Sequence, residues 1–350
     1  MKAPAPVVAT ALVLLCGELS GLRSDAARSF LAASFNLVAA DIDRVNAGHV
    51  ISRSLPASDK REIATMGVMR VRITPEFYAQ RIADIATFKQ DDAVAQIAVF
   101  GTPPSLQDVA RLTLEESDLR SLQKCRVGDC GVQLSAAAID RFRAEVNWSN
   151  AGAGEQANGV MRKILVEYVT HYLASGSGAL MKYADQSPPL DLGGEFAALA
   201  NAGDRGREPF PAVHRHLIDY PARTAPVTQD SIYWSKERIG RRSVISVTHL
   251  SIAQTLAESP ADYVIASKHI YGTHYFDASL GLTILVRDRA SSTPATFVIY
   301  VNRSRLDAFG GLLGGLARKI VSTRARSLVS DQLARLQQKL ERQYETSNTH

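Results

Sequence analysis

Across Ser243–Arg303 the chain alternates β-branched or aromatic residues with small polar ones, in runs such as SVISVTHLSIAQ, DYVIASKHIYGTHYFDASLGLTILVRD and TFVIYVNR. A period of two in Val, Ile, Thr, Tyr and Phe predicts strands over Ser243–Gln254, Tyr263–Tyr275, Ala278–Arg287 and Thr296–Arg303, with Asp230–Arg238 before them. A helical period follows from Asp307 to Tyr344. Near the start of the chain, Gly48–Leu55, Glu62–Ile73 and Ala93–Phe100 also read as strands. In the second of these, Val68, Arg70 and Arg72 alternate against Met69, Val71 and Ile73. Thr74-Pro75-Glu76 is a helix start, with Thr74 as N-cap and Pro75 in the first turn. The helix TPEFYAQRIADIATF carries Phe77, Ile82, Ile85 and Phe88 inward. Ala27–Val45 is spaced as a helix.

Between Ser105 and Pro226 the period changes to 3.6. Helices are predicted over 105–112, 114–122, 135–146, 155–174, 179–184, 191–200 and 211–220. Gly176-Ser177-Gly178 is a stop between two of them. The order is strand, strand, helix, strand, helical segment, several strands, long helix. It predicts an α+β fold: an antiparallel sheet closed on a long C-terminal helix, with a helical insertion at 105–226.

The chain of 350 residues is 46% hydrophobic and 21% charged, enough apolar surface for a sizeable core. Its net charge of +5 is spread along the sequence, with no Lys/Arg block interleaved with aromatics, so nucleic acid is not an expected partner. Met1–Leu22 has the layout of a secretory signal: Lys2, then the apolar run Val7–Cys16, then small and polar residues, with cleavage expected after Ala26. The apolar run is too short to cross a bilayer. These features predict a periplasmic or secreted protein. Removal of residues 1–26 leaves Cys125 and Cys130. Their C-x4-C spacing fits neither a redox nor a haem motif, and in an oxidising compartment it reads as a small disulfide loop.

The strand order resembles the START/polyketide-cyclase-like (helix-grip) superfamily. The residues that carry the resemblance are GHVISRSL, GVMRVRITPEFYAQRIADI, the run Ser243–Arg303, and GGLLGGLARKIVSTRARSLVSDQLARLQQKLE. It implies a helix-grip-like domain in two parts, 27–104 and 227–344, with 105–226 inserted between them and a tail at 345–350. It also implies an apolar cavity between sheet and terminal helix. The KCRVGDC segment is similar to one in an uncharacterised group of exported bacterial proteins, which implies export and nothing about activity.

No G-x-S-x-G, H-E-x-x-H, G-x-x-x-x-G-K-[ST] or G-x-G-x-x-G occurs, so no nucleophile elbow, zinc-protease helix or phosphate loop is expected. The polar residues with the most potential lie on the strands: Tyr233, Thr248, His249, Lys268, His269, Tyr271, His274, Tyr275 and Asp277. Strict alternation places His269, Tyr271 and Tyr275 on one face and Lys268 and His274 on the other, with His249 beside Ile245 and Val247. A cavity-lining face would let His and Tyr orient the polar end of a ligand while apolar neighbours hold its body. The expected ligand-binding set is His249, His269, Tyr271, Tyr275, Tyr300, Phe309 and Leu313. The bland alternative is a set of half-buried sheet residues with satisfied hydrogen bonds. An acid/base role for a His is the enzymatic alternative, and docking of a partner by the insertion or the basic helix is a third.

No metal and no cofactor is expected. His269 and His274 point to opposite faces, and His214 and His216, two apart on a helix, do not face each other. Glycines 310, 311, 314 and 315 at the start of the terminal helix imply close approach to a sheet, helix or ligand. Arg318, Lys319, Arg324 and Arg326 form a solvated face that anionic headgroups could also meet. The sequence does not decide the oligomeric state.

Overall fold

The computed structural model describes residues 26–201, 210–222, 227–256, 258–306 and 314–348. The signal segment 1–25 and the expected ligand residues Phe309 and Leu313 lie outside the described residues, as do Gly310 and Gly311.

The centre is an antiparallel sheet of eight strands in the order β1-β2-β10-β9-β8-β7-β6-β3. Its strands are β1 (Ile51–Ser54), β2 (Glu62–Val71), β3 (Val94–Val99), β6 (Val227–Ile239), β7 (Arg242–Gln254), β8 (Tyr263–Gly272), β9 (Phe276–Arg287) and β10 (Thr296–Leu306). β10 pairs with β2 on one side and β9 on the other, so the early and late strands form one continuous sheet. A separate two-stranded ladder joins β4 (Lys182–Tyr183) to β5 (Leu190–Asp191).

Both faces of the sheet are covered. One face packs against α3 (Pro75–Ala83), α4 (Ile85–Phe88) and the terminal helix α10 (Gly314–Ser347). Its core includes Met69, Val71, Ile73, Leu250, Ile265, Val298, Val329, Leu333 and Leu340. The other face packs against the helical insertion and the first two helices, α1 (26–35) and α2 (Ala39–Asn46). The insertion supplies α5 (Glu116–Lys124), α6 (Ala136–Glu145), α7 (Ala153–Ser175), α8 (Leu192–Asn201) and α9 (Pro211–Asp219). Val68 belongs to this second core, with Leu165, Val169, Val247, Ile270 and Phe297. The two-faced alternation expected in β2 is present. A strand buried on both faces explains why β2 is buried at every position but Arg70.

Thr74 caps α3, its Oγ1 accepting from the Phe77 amide at 3.2 Å, with Pro75 at the first helical position. The expected single helix over this stretch is two: it breaks at Asp84, whose side chain accepts from the Thr87 amide and restarts the chain as α4. The expected helix over Ala27–Val45 likewise breaks, at Asn36, which adopts a φ of 51°. The helix expected over 179–184 is absent; a 3-10 turn at Gly176–Ala179 leads into β4.

α10 lies on β2, and a glycine permits the approach. A Cβ on Gly67 would stand 2.3 Å from Leu333 Cδ1 and 2.7 Å from Val329 Cγ1. On the strand side, Gly67 is thus the residue that admits the helix. Polar contacts fix the rest of the helix. Gln337 Nε2 donates to the Arg70 carbonyl at 2.7 Å, and Glu341 accepts from the Arg72 amide and guanidinium at 2.9 and 2.8 Å. Lys339 Nζ donates to the Phe88 carbonyl at 2.9 Å, capping the end of α4.

Cys125 and Cys130 form a disulfide, and the loop between them turns back on itself through Arg126 and Asp129. Its backbone docks on the 184–185 segment through Gly128 and Cys130 amides.

Candidate functional site

The register of the late strands sets the site. Thr248 pairs with His269 while Val247 pairs with Tyr271, so Ile270 is an extra residue in β8. This bulge inverts the alternation beyond it. His269 stays on the face of α10, but Tyr271 turns into the insertion, where its hydroxyl donates to the Gln133 carbonyl at 3.2 Å. The expectation that His269 and Tyr271 share a face is corrected on this ground.

Between the sheet, α3–α4 and α10 lies a cavity of about 700 Å³. Ile82, Ile85, Phe88, Val329, Leu333 and Leu336 supply apolar walls from the helices. The sheet supplies a polar floor. Tyr233, Thr248, His269, Ser279 and Ser304 stand opposite one another in consecutive strands, a single row across the sheet. Ser267, Thr283 and Tyr300 extend the lining on the same face. Lys89, Arg335, Lys339 and Arg342 line it from the ends of α4 and the turns of α10, with Asp91 and Glu237 as opposing charges. The lining is thus amphipathic and net basic, more polar than the mostly apolar pocket implied by the resemblance.

Lys89 and Glu237 are paired, Nζ to Oε1 at 2.6 Å, and Ser235 Oγ donates to the same oxygen at 2.5 Å. Burial alone would raise the Glu237 carboxyl, but the Lys89 ammonium holds it below its ordinary value. Burial opposes the charge of Lys89 as well, and Tyr233 and Glu237 outweigh it, so its pKa is raised. The ammonium lies 5.5 Å from the centroid of the Tyr233 ring. His269 has no such support. It is 7% exposed, its Nε2 is buried without a hydrogen-bond partner, and burial pushes its pKa down to about 4. At neutral pH the cavity therefore holds an ion pair and a neutral imidazole. A Cβ on Gly272 would stand 2.6 Å from His269 Nε2, so the ring occupies space that only glycine leaves open. Tyr300 and Tyr78 have raised pKa values through burial and stay protonated.

Of the expected ligand residues, His269 and Tyr300 line the cavity. His249 and Tyr271 lie on the opposite face, and Tyr275 sits in the β8–β9 turn with a φ of 71°. His274 is also outside the cavity: its Nε2 bonds Asp118 at 3.0 Å and its Nδ1 accepts from Arg242 at 3.1 Å, tying that turn to α5. Lys268, fully buried under the insertion, donates to Ser177 Oγ at 2.7 Å and the Leu217 carbonyl at 3.0 Å, and burial pushes its pKa down to about 7. Sequence reasoning missed Lys89 and Glu237 as site residues. Their pairing joins positions far apart in the chain, and the one local signal is a charged residue on an otherwise half-buried strand.

Compared with family models and with curated proteins, the chain gives no match to either. Among the described residues no helix is long and apolar enough to cross a membrane.

Proposed function

We propose that the protein binds or carries a hydrophobic small molecule with an anionic end, a lipid being the leading class, in the cavity between sheet and α10. The observation that carries this reading is the cavity itself: about 700 Å³, within the range of small-molecule sites, with apolar helix walls, a polar row on the sheet and several cations at its edge. The apolar body would lie against Ile82, Ile85 and Leu333. The headgroup would meet Lys89, Arg335 or Arg342, and His269 would offer a neutral hydrogen-bonding nitrogen. A START-like, helix-grip relationship is part of the proposal. What supports it is a long terminal helix laid on an antiparallel sheet with a cavity between them. Export is part of it too, supported by the Met1–Leu22 pattern and, weakly, by the disulfide.

The test is native mass spectrometry of the protein purified from its exported fraction, followed by organic extraction and by uptake from vesicles containing anionic phospholipid. The expected result is one amphiphile per chain, lost in a Leu333→Trp variant that fills the cavity. An empty protein that takes up nothing would overturn the reading.

A second reading, an enzyme acting on the bound molecule, is favoured by one observation: titratable groups converge in the cavity, with Lys89 and Glu237 at 2.6 Å and His269 unpaired. Chemical conversion of the extracted molecule on incubation with fresh protein would support it over carriage.

A further inference from the structure

The face of the sheet away from the cavity holds a second constellation. His216 from α9, Asp230 from β6 and His249 from β7 bring two imidazole nitrogens and one carboxylate oxygen together, all within 4.8 Å of one another. Asp230 Oδ1 lies 3.0 Å from His249 Nε2 and 3.3 Å from His216 Nε2. Ligand atoms held at about 2.1 Å from one zinc ion stand roughly 3.0–3.4 Å apart at octahedral to tetrahedral angles, so these separations match a coordination shell. Both imidazoles are fully buried, while the Asp230 side chain is 24% exposed and leaves a path from solvent.

Supporting contacts are present on two of the three residues. Ser251 Oγ donates to Asp230 Oδ1 at 2.5 Å. Tyr172 Oη lies 2.9 Å from His249 Nδ1, a contact that holds the ring with Nε2 facing the carboxylate. The His216 Nδ1 is buried without a partner. The arrangement is not a nucleophilic triad. In a triad the acid and the nucleophile hold opposite nitrogens of the imidazole, whereas here Ser251 and Asp230 both approach His249 Nε2, at 3.3 and 3.0 Å.

We infer that His216 Nε2, Asp230 Oδ1 and His249 Nε2 form a binding site for a zinc-type divalent cation. Two imidazoles and one carboxylate suit Zn²⁺ among the common divalent ions, whereas calcium and magnesium prefer oxygen ligands throughout. Three protein ligands leave a fourth position for water on the exposed Asp230 side. Bound there, the ion would clamp α9 to the two strands.

The test uses the untagged full chain, stripped with a chelator and titrated with Zn²⁺ against a chromophoric competitor. One equivalent is expected to bind in the wild type. Asp230→Asn and His249→Gln should abolish stoichiometric binding, and Tyr172→Phe should weaken it about tenfold, the scale of a lost supporting contact. Circular dichroism checks that each variant folds. Where one does not, X-ray absorption of the wild type loaded with Co²⁺ decides: two imidazoles in the shell support the site, and none overturns it. Absence of stoichiometric Zn²⁺ binding, or binding unchanged in folded Asp230→Asn and His249→Gln, would show a hydrogen-bonded cluster and no metal site.

Discussion

Replacement of His269 by leucine isolates what burial does to the cavity. The imidazole has a pKa of about 4 in the folded chain against 6.5 in the unfolded one. Above pH 6.5 neither state is protonated and the residue adds no pH dependence. As pH falls through 6.5 the unfolded chain binds a proton that the folded chain refuses, so stability is lost on acidification until pH 4. The drop from 6.5 to about 4, at about 1.4 kcal/mol per tenfold change in proton affinity, amounts to roughly 3 kcal/mol at full extent and about 2 kcal/mol by pH 5. Leucine cannot titrate, and it also removes a buried nitrogen without a partner, worth about 1 kcal/mol at any pH. Urea unfolding of wild type and His269→Leu at pH 7.5, 6 and 5 provides the assay. Carboxylates away from His269 titrate in both proteins and cancel in the difference, while Glu237, which interacts with it, makes a smaller contribution. The variant's advantage should grow by about 2 kcal/mol from pH 7.5 to 5. A difference that stays flat would refute the argument, because it would mean that His269 is solvated and that the cavity floor is open to water.

Three further outcomes follow from contacts in the structure. Gly67→Ala places a methyl group 2.3 Å from Leu333 Cδ1 and 2.7 Å from Val329 Cγ1, so these side chains or the helix that carries them must shift; a cost of about 1–3 kcal/mol is expected in thermal unfolding, with faster release of a bound amphiphile. Gly272→Ala drives a methyl group to 2.6 Å from His269 Nε2, and displacement of the ring should weaken ligand binding, measured by competition with a fluorescent fatty acid, at smaller cost to stability than Gly67→Ala. Joint replacement of Cys125 and Cys130 by alanine should cost no more than about 2 kcal/mol, because so short a loop restricts the unfolded chain little, and should leave cavity binding unchanged; a large loss of binding would show that the loop shapes the site.

The features legible in the sequence were those fixed by local chemistry. Thr74 and Pro75 announce a helix start wherever the chain goes afterwards. β-Branched runs announce strands, and two cysteines five positions apart announce a small loop. The features that were hidden depend on partners distant in the chain. One extra residue, Ile270, reverses the faces of everything after it in β8, and no residue type marks it in advance. Asp84 interrupts an apolar pattern that is helical on both sides of the break. The three groups around Asp230 come from α9, β6 and β7, at spacings that match no metal motif. The cavity floor lies between these cases. A polar side chain turned inward from an apolar strand is costly unless it meets water, a ligand or another polar group. Thr248, His269 and Ser279 each look incidental within their own strands. Once the register sets them side by side, they form one polar row facing α10, while the opposite parity offers Val247, Ile270 and Leu280 to the insertion. The difference between the two parities separates a face that is packed shut from one that keeps room for a ligand. It depends on strand pairing, which the sequence alone leaves open.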